Sequence, residues 1–175
     1  MTIECTKLSK EYIKESINVA LIQRRLVKNP KKRVLNNFVI YPVWLAICLV
    51  YSISLIVEMT KDKSMIYGVL FGCLLGVGII MSIRYISYVK GYSKAISRKD
   101  RCFTYTLTHE GIEYDNHDNR KVSSSWDSFQ CMRILKHGVY FIPKEETGFL
   151  YGLSIDNLGM IDNFLKENNI ELLRV

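Results

Sequence analysis

The sequence predicts an α+β membrane protein: a two-helix transmembrane hairpin, then an antiparallel β-sheet domain closed by a C-terminal capping helix. Three observations predict it. Residues 38–57, "FVIYPVWLAICLVYSISLIV", and 65–83, "MIYGVLFGCLLGVGIIMSI", run without a charge. At about 1.5 Å of rise per residue, each stretch, with its apolar flanks, suits a hydrocarbon core of roughly 30 Å. Beyond Cys102 the apolar period falls to two, the alternation of half-buried strands. The last stretch, "SIDNLGMIDNFLKENN", returns to helical spacing with Leu158, Ile161, Phe164 and Leu165, and Asp156 or Ser154 is the expected cap.

Four segments follow from this reading. Residues 1–36 form a strand and a basic amphipathic helix, 37–89 the hairpin with spans at about 38–58 and 65–87, 90–101 a basic stalk, and 102–175 the sheet domain. In the first segment "TIECTKL" alternates in the manner of a strand. After it "SKEYIKESINVALIQRRLVKN" sets Ile13, Ile17, Ala20 and Leu21 at helical spacing behind Ser9, an N-cap residue type. The basic end of this helix is expected to lie against anionic headgroups, each Lys or Arg near the surface adding about 1 kcal/mol. The alternative is a helix that packs only on its own protein.

In the first span, twelve Leu, Ile, Val and Phe residues contribute at most about −5 kcal/mol to insertion. Pro42 is expected near the helix start, where a missing N–H costs little. The polar first thirty residues carry no small-residue cleavage site, so the first span is read as an uncleaved anchor. The loop at 59–64 is too short for a domain, which makes the spans a tight antiparallel pair. Gly68, Gly72 and Gly76 share one face of the second span and form a helix-packing face. Its partner is either the first span, through Ala46 and Ser52, or a second copy of the chain. No acidic or amide residue interrupts either span, which argues against a pore.

Charge is unevenly divided. Residues 1–101 hold 17 Lys and Arg against 6 Asp and Glu, while 102–175 hold 7 against 11, within an overall formal charge of +7. The basic excess belongs to the membrane half and is no signal for nucleic acid. Arg24, Arg25, Lys28, Lys31, Lys32 and Arg33 precede the first span; Arg84, Lys90, Lys94, Arg98, Lys99 and Arg101 follow the core of the second; between the spans lie only Lys61 and Lys63. By the positive-inside rule both termini are cytoplasmic, and these twelve basic residues sit at the membrane surface. Tyr41, Trp44, Tyr85 and Tyr88 form the inner aromatic belt in this reading. The acidic C-terminal part is expected to stand off the anionic leaflet and meet a protein.

The sheet segments are "CFTYTLT", "GIEYD", "RKVSSSW", "FQCMRILK", "GVYFIP" and "GFLYG", broken by polar turns. Catalytic patterns are missing: His109 and His117 flank a hairpin without an HExxH, Ser123 to Ser125 lack a GxSxG elbow, and "DNHDN" lacks the spaced ligands of a calcium loop. The five cysteines, Cys5, Cys48, Cys73, Cys102 and Cys131, form no CxxC pair. The expectation is a non-enzymatic chain with no cofactor, no catalytic residue and no metal ligand.

Two spans after a short strand and helix, then "W-x-x-F" at Trp126 and Phe129, then "V-Y-F-I-P-K" at Val139, Tyr140, Phe141, Ile142, Pro143 and Lys144, together resemble the YcxB-like family of bacterial membrane proteins. The resemblance implies a pleckstrin-homology-like (PH-like) C-terminal domain, a bent sheet of seven strands with a capping helix. Only six strands follow Cys102, so "TIECTKL" is expected to supply the seventh. The motif residues read mainly as packing, Trp126 filling the mouth of the sheet and Pro143 ending a strand.

The function expected is that of a membrane-anchored interaction or scaffold protein, multi-pass in the bacterial cell membrane, with membrane lipids and a protein partner or homo-oligomer around it. The alternative is an immunity or regulatory membrane protein whose hairpin binds a membrane-acting toxin or a transporter.

Overall fold

The structure, a computed structural model, describes the chain apart from residues 6–7, 63–64, 97–102 and 117–120. It divides into two compact units, Leu35–Ser93 and the pair of segments Met1–Val34 and Lys94–Val175. The architecture is α+β: two long apolar helices, then antiparallel sheets and a C-terminal helix.

The helical unit consists of α2 (Asn37–Asp62) and most of α3 (Met65–Ile96). Both are long and apolar enough to cross a membrane. Where they meet, Phe38, Tyr41 and Cys48 of α2 face Gly78, Tyr85, Tyr88 and Tyr92 of α3. Phe38 packs edge-on against Tyr88 and Tyr92 with centroids 4.7 and 4.8 Å apart, and Tyr41 meets Tyr85 and Tyr88. Tyr88 is therefore buried in the seam. Pro42 lies inside α2, past the first turn, and removes one internal hydrogen bond where none was expected to be lost. Around the seam the large apolar side chains are exposed, Ile66 at 69% and Val50 at 63%.

Among the described residues, the second unit holds seven strands in two sheets. β1 (Thr2–Cys5), β2 (Phe103–Leu107), β3 (Gly111–Asp115) and β4 (Lys121–Ser125) form one in that order; β5 (Phe129–Ile134), β6 (Gly138–Pro143) and β7 (Tyr151–Ser154) form the other. All named pairings are antiparallel. β1 pairs with β2 from Thr2 opposite Thr106 to Cys5 opposite Phe103, so the N-terminal segment does supply an edge strand. β7 begins three residues later than the "GFLYG" reading, because Thr147 to Leu150 still belong to the turn. Gly111 is bare of necessity: a Cβ there would meet the Ser124 carbonyl oxygen at 2.0 Å.

Between the sheets lies one apolar core, including Ile3, Tyr105, Leu107, Ile112, Trp126, Phe129, Met132, Val139, Phe141, Tyr151 and Leu153. Trp126 sits in a single 3-10 turn linking β4 to β5, and its indole N–H donates to the Thr108 carbonyl at 2.9 Å. α4 (Leu158–Glu167) closes this core with Ile161 and Leu165, while Leu158 and Phe164 pack at its margin. Its expected cap is corrected: a 3-10 turn at Ile155–Asn157 leads in, Ser154 donates to Asp156 instead, and Asn157 at the cap makes no side-chain bond. The expectation of one curved sheet with one covering helix is also corrected. Two sheets form, and a second helix, α1 (Lys10–Lys28), packs on β6.

After α4 the chain turns at Asn169, in the left-handed region at φ 53°. It then runs back along the outer edge of β5, where Met132 bridges Arg174 in parallel.

Candidate functional site

Two covered strand edges and one covered sheet face organise the β unit. The covered face belongs to β5, β6 and β7. Along β6, Val139 and Phe141 point into the intersheet core, whereas Tyr140 and Ile142 lie outside it yet are fully buried. α1 is what covers them. Ser9 starts this helix as expected, accepting from the Tyr12 amide at 3.0 Å. Its buried positions are Tyr12, Ile13, Asn18, Val19 and Leu26. Tyr12, Val19 and Leu26 recur every seventh residue and form a single stripe. The expected face through Ile17, Ala20 and Leu21 is corrected, since Leu21 is 55% exposed.

The contact is polar as well as apolar. Tyr12 stacks near-parallel on Tyr140, centroids 6.2 Å apart. Glu15 accepts from the His137 amide at 3.1 Å and from the Tyr140 hydroxyl at 3.3 Å. Burial, and then the Glu15 charge, push the Tyr140 phenol well above its ordinary pKa. It therefore remains a donor across the physiological range.

At the free edge of β7, Gly152 turns its backbone outward. Its carbonyl accepts from the Tyr12 hydroxyl at 2.6 Å. Tyr12 thus occupies a group that an incoming strand would need. A Cβ at Gly152 would meet Tyr12 Oη at 2.9 Å and the Tyr140 ring at 3.0 Å. Beside this edge a cleft of about 510 Å³ opens between α1 and residues 147–152, lined by Leu8, Ile17, Ala20, Thr147 and Phe149 among others. Gln23 bridges it, donating to the Gly148 carbonyl at 2.7 Å.

The basic residues expected at a membrane surface divide into groups. Arg24 and Lys28 pair with Glu146, Lys28 at 3.3 Å. Desolvation works to raise the Glu146 pKa, but the hydrogen bonds and charges of Arg24 and Lys28 outweigh it and bring that carboxyl below its ordinary value. Arg25, Lys31, Lys32, Arg33, Arg84, Lys90 and Lys94 are exposed, and Arg98, Lys99 and Arg101 lie outside the described residues. Arg133, 7% exposed on β5, donates from Nη1 to the Pro30 carbonyl and from Nη2 to the Lys32 carbonyl. This grip holds the segment that follows α1 against the sheet.

Because Met1–Val34 is part of the β unit, its charge must be counted with it. The unit as a whole carries 20 Lys and Arg against 15 Asp and Glu. The acidity of residues 102–175 is offset within the same compact body, so the argument that charge repels this unit from an anionic surface fails.

Among the motif residues, Trp126, Phe129, Val139 and Phe141 are core, Tyr140 and Ile142 lie under α1, Pro143 ends β6 opposite Phe129, and Lys144 is exposed. In the helical unit a Cβ at Gly72 or Gly76 would meet nothing within 4 Å, while at Gly78 it would touch Cys48 Cβ at 3.9 Å. α2 is therefore not packed against Gly72 or Gly76, and Ala46 is exposed. His117 lies outside the described residues. Among those described, no three His, Cys, Asp or Glu side chains group to hold a metal ion. Set against known proteins, the chain matches no family model, no curated protein and no solved structure.

Proposed function

We propose that this chain is a non-enzymatic, membrane-anchored interaction or scaffold protein of the YcxB-like family, presenting a PH-like module at the cytoplasmic face of a bacterial membrane. One observation carries the reading: β1 pairs with β2 although both apolar helices lie between them in the chain. Strands that pair share one side of any bilayer, so the intervening segment must return to the side it left. Two helices of spanning length do so, and the basic flanks select the cytoplasmic side. Seven strands split four and three, with a C-terminal helix on the core, support the PH-like reading of the module. Peptide and strand capture at sheet edges is the interaction mode that such a module offers.

The test joins topology to partnership. Tags at both ends should be shielded in intact cells and accessible after the membrane is opened, and crosslinking in native membranes should attach a protein to residues of the β unit. Labelling of either tag from outside, or a purified chain that dissolves as a monomer without detergent, overturns the reading.

A second reading, an immunity or regulatory protein whose hairpin binds a membrane-acting toxin or a transporter, is favoured by the open space at Gly72 and Gly76. Exchanging α2 and α3 for an unrelated two-span anchor separates the two. Retained partner crosslinking supports the module, and loss supports the hairpin.

A further inference from the structure

The edge of β5 is occupied by the chain's own last residues, and the fit is incomplete. Met132 and Ile134 turn their backbone groups away from β6. The Met132 amide donates to the Leu173 carbonyl at 2.8 Å, the Val175 amide donates to the Met132 carbonyl at 3.0 Å, and the Ile134 amide donates to the Val175 carbonyl at 2.9 Å. The added strand is parallel, the less stable pairing per residue. Its side chains alternate: Ile170 and Leu172 pack against the core, Leu173 is 60% exposed, and Arg174 turns to α4.

There Arg174 Nη1 donates to Asp162 Oδ2 at 3.0 Å, a single bond from a group that can make two parallel ones to a carboxylate. Asp162 Oδ1 is buried and has no partner among the described residues, and Gln130 Oε1, two residues before Met132 on β5, is in the same condition. Buried acceptors left unpaired are costly, and both of these call for an N–H donor. The tail supplies the pattern of a ligand without meeting all of its demands.

We propose that the groove between β5 and α4 is a binding site for an extended segment of a partner protein of the pattern apolar-x-apolar-x-Arg, and that residues 170–175 are a resident stand-in that such a segment displaces. The partner adds a strand to β5, seats its two apolar side chains where Ile170 and Leu172 now lie, and places its guanidinium on Asp162 with both oxygens engaged. The proposal rests on the scaffold reading and names the chemistry of its partner.

The test uses the full chain in detergent and a fluorescent peptide with the sequence of residues 169–175. A variant ending at Asn168 should bind this peptide at least tenfold more tightly than the intact chain does. A peptide with Glu in place of Arg should bind the truncated variant at least tenfold more weakly, and Asp162→Lys in that variant should reverse the preference. Absence of peptide binding by a truncated variant that still melts cooperatively overturns the proposal. So does a dimer of the intact chain that truncation abolishes, which would mean tails exchanged between copies.

Amide exchange in the unaltered chain needs no variant to fold. Met132 and Ile134 should exchange at least a hundredfold faster than Val139 and Phe141, and equal protection means a tail that does not leave. A partner crosslinked in membranes without any peptide binding sinks this inference alone; peptide binding without such a partner leaves the groove and removes the scaffold reading.

Discussion

The two faces of β6 are both sealed, but by helices that differ in what the sequence revealed of them. Val139 and Phe141 meet the intersheet core that α4 closes with Ile161 and Leu165. Tyr140 and Ile142 meet α1, whose stripe combines Val19 and Leu26 with the polar contacts of Tyr12, Glu15 and Gln23. The core face is held mainly by burial and rings: Trp126 touches Phe129, Phe141 and Phe164 at centroid distances of 5.9 to 6.5 Å. Its few polar atoms, the Trp126 indole N–H and the Tyr151 hydroxyl, donate to Thr108 and Ser124 within the same four-stranded sheet and its turn. The α1 face is held by burial together with hydrogen bonds to backbone. A surface of the second kind demands one placement of the helix, because each buried polar atom must find its partner.

The sharpest way to break the comparison is at the core face. Phe141→Ala should cost about 3 to 5 kcal/mol, read in urea from Trp126 fluorescence in a Trp44→Phe background. Leu26→Ala tests whether the α1 face is equally structural, with about 3 kcal/mol expected and faster amide exchange along α1 only. An unchanged midpoint would mean that α1 is not part of the folded unit. Gly152→Val should cost about 2 kcal/mol through overpacking, and Tyr12→Phe in the same chain should recover part of the loss by removing the nearest atom. Alone, Tyr12→Phe should cost about 1 kcal/mol while the stack on Tyr140 persists.

The smallest effect belongs to pH. The Glu146 carboxyl is held below its ordinary value, so its contribution is present above the unfolded pKa and is lost as pH falls through the lowered folded one. Amide exchange near Gly148 should rise in that acidic window, and Glu146→Gln should remove the dependence.

Much of the fold was legible because its signals are local. Spans without a charge, a period of two after Cys102, and Leu158, Ile161, Phe164 and Leu165 on one helix face each announce their element. The covering of β6 on both sides was legible too, but in the wrong place. "GVYFIP" is apolar at consecutive positions, the pattern of a strand buried on both faces. Along α1 the branched aliphatic residues Ile13, Ile17 and Leu21 carry the helical spacing, but the stripe that is buried runs through Tyr12, Val19 and Leu26. The Arg133 grip and the tail on β5 join residues far apart in the chain, and no periodicity encodes such a contact. Charge is combined in the same way, since folding joins the basic residues of Met1–Val34 to the acidic ones beyond Cys102 in one compact unit.

The pairing of β1 with β2 also sets a schedule. A ribosome finishes β1 and α1, then needs roughly ten seconds at usual elongation rates to write out α2, α3 and the strand that β1 requires. Throughout that interval the first strand has no neighbour and the stripe of α1 has no sheet beneath it. Assembly of the β unit must wait until both apolar helices have been synthesised, and a pause within them would leave both early elements as targets for proteases.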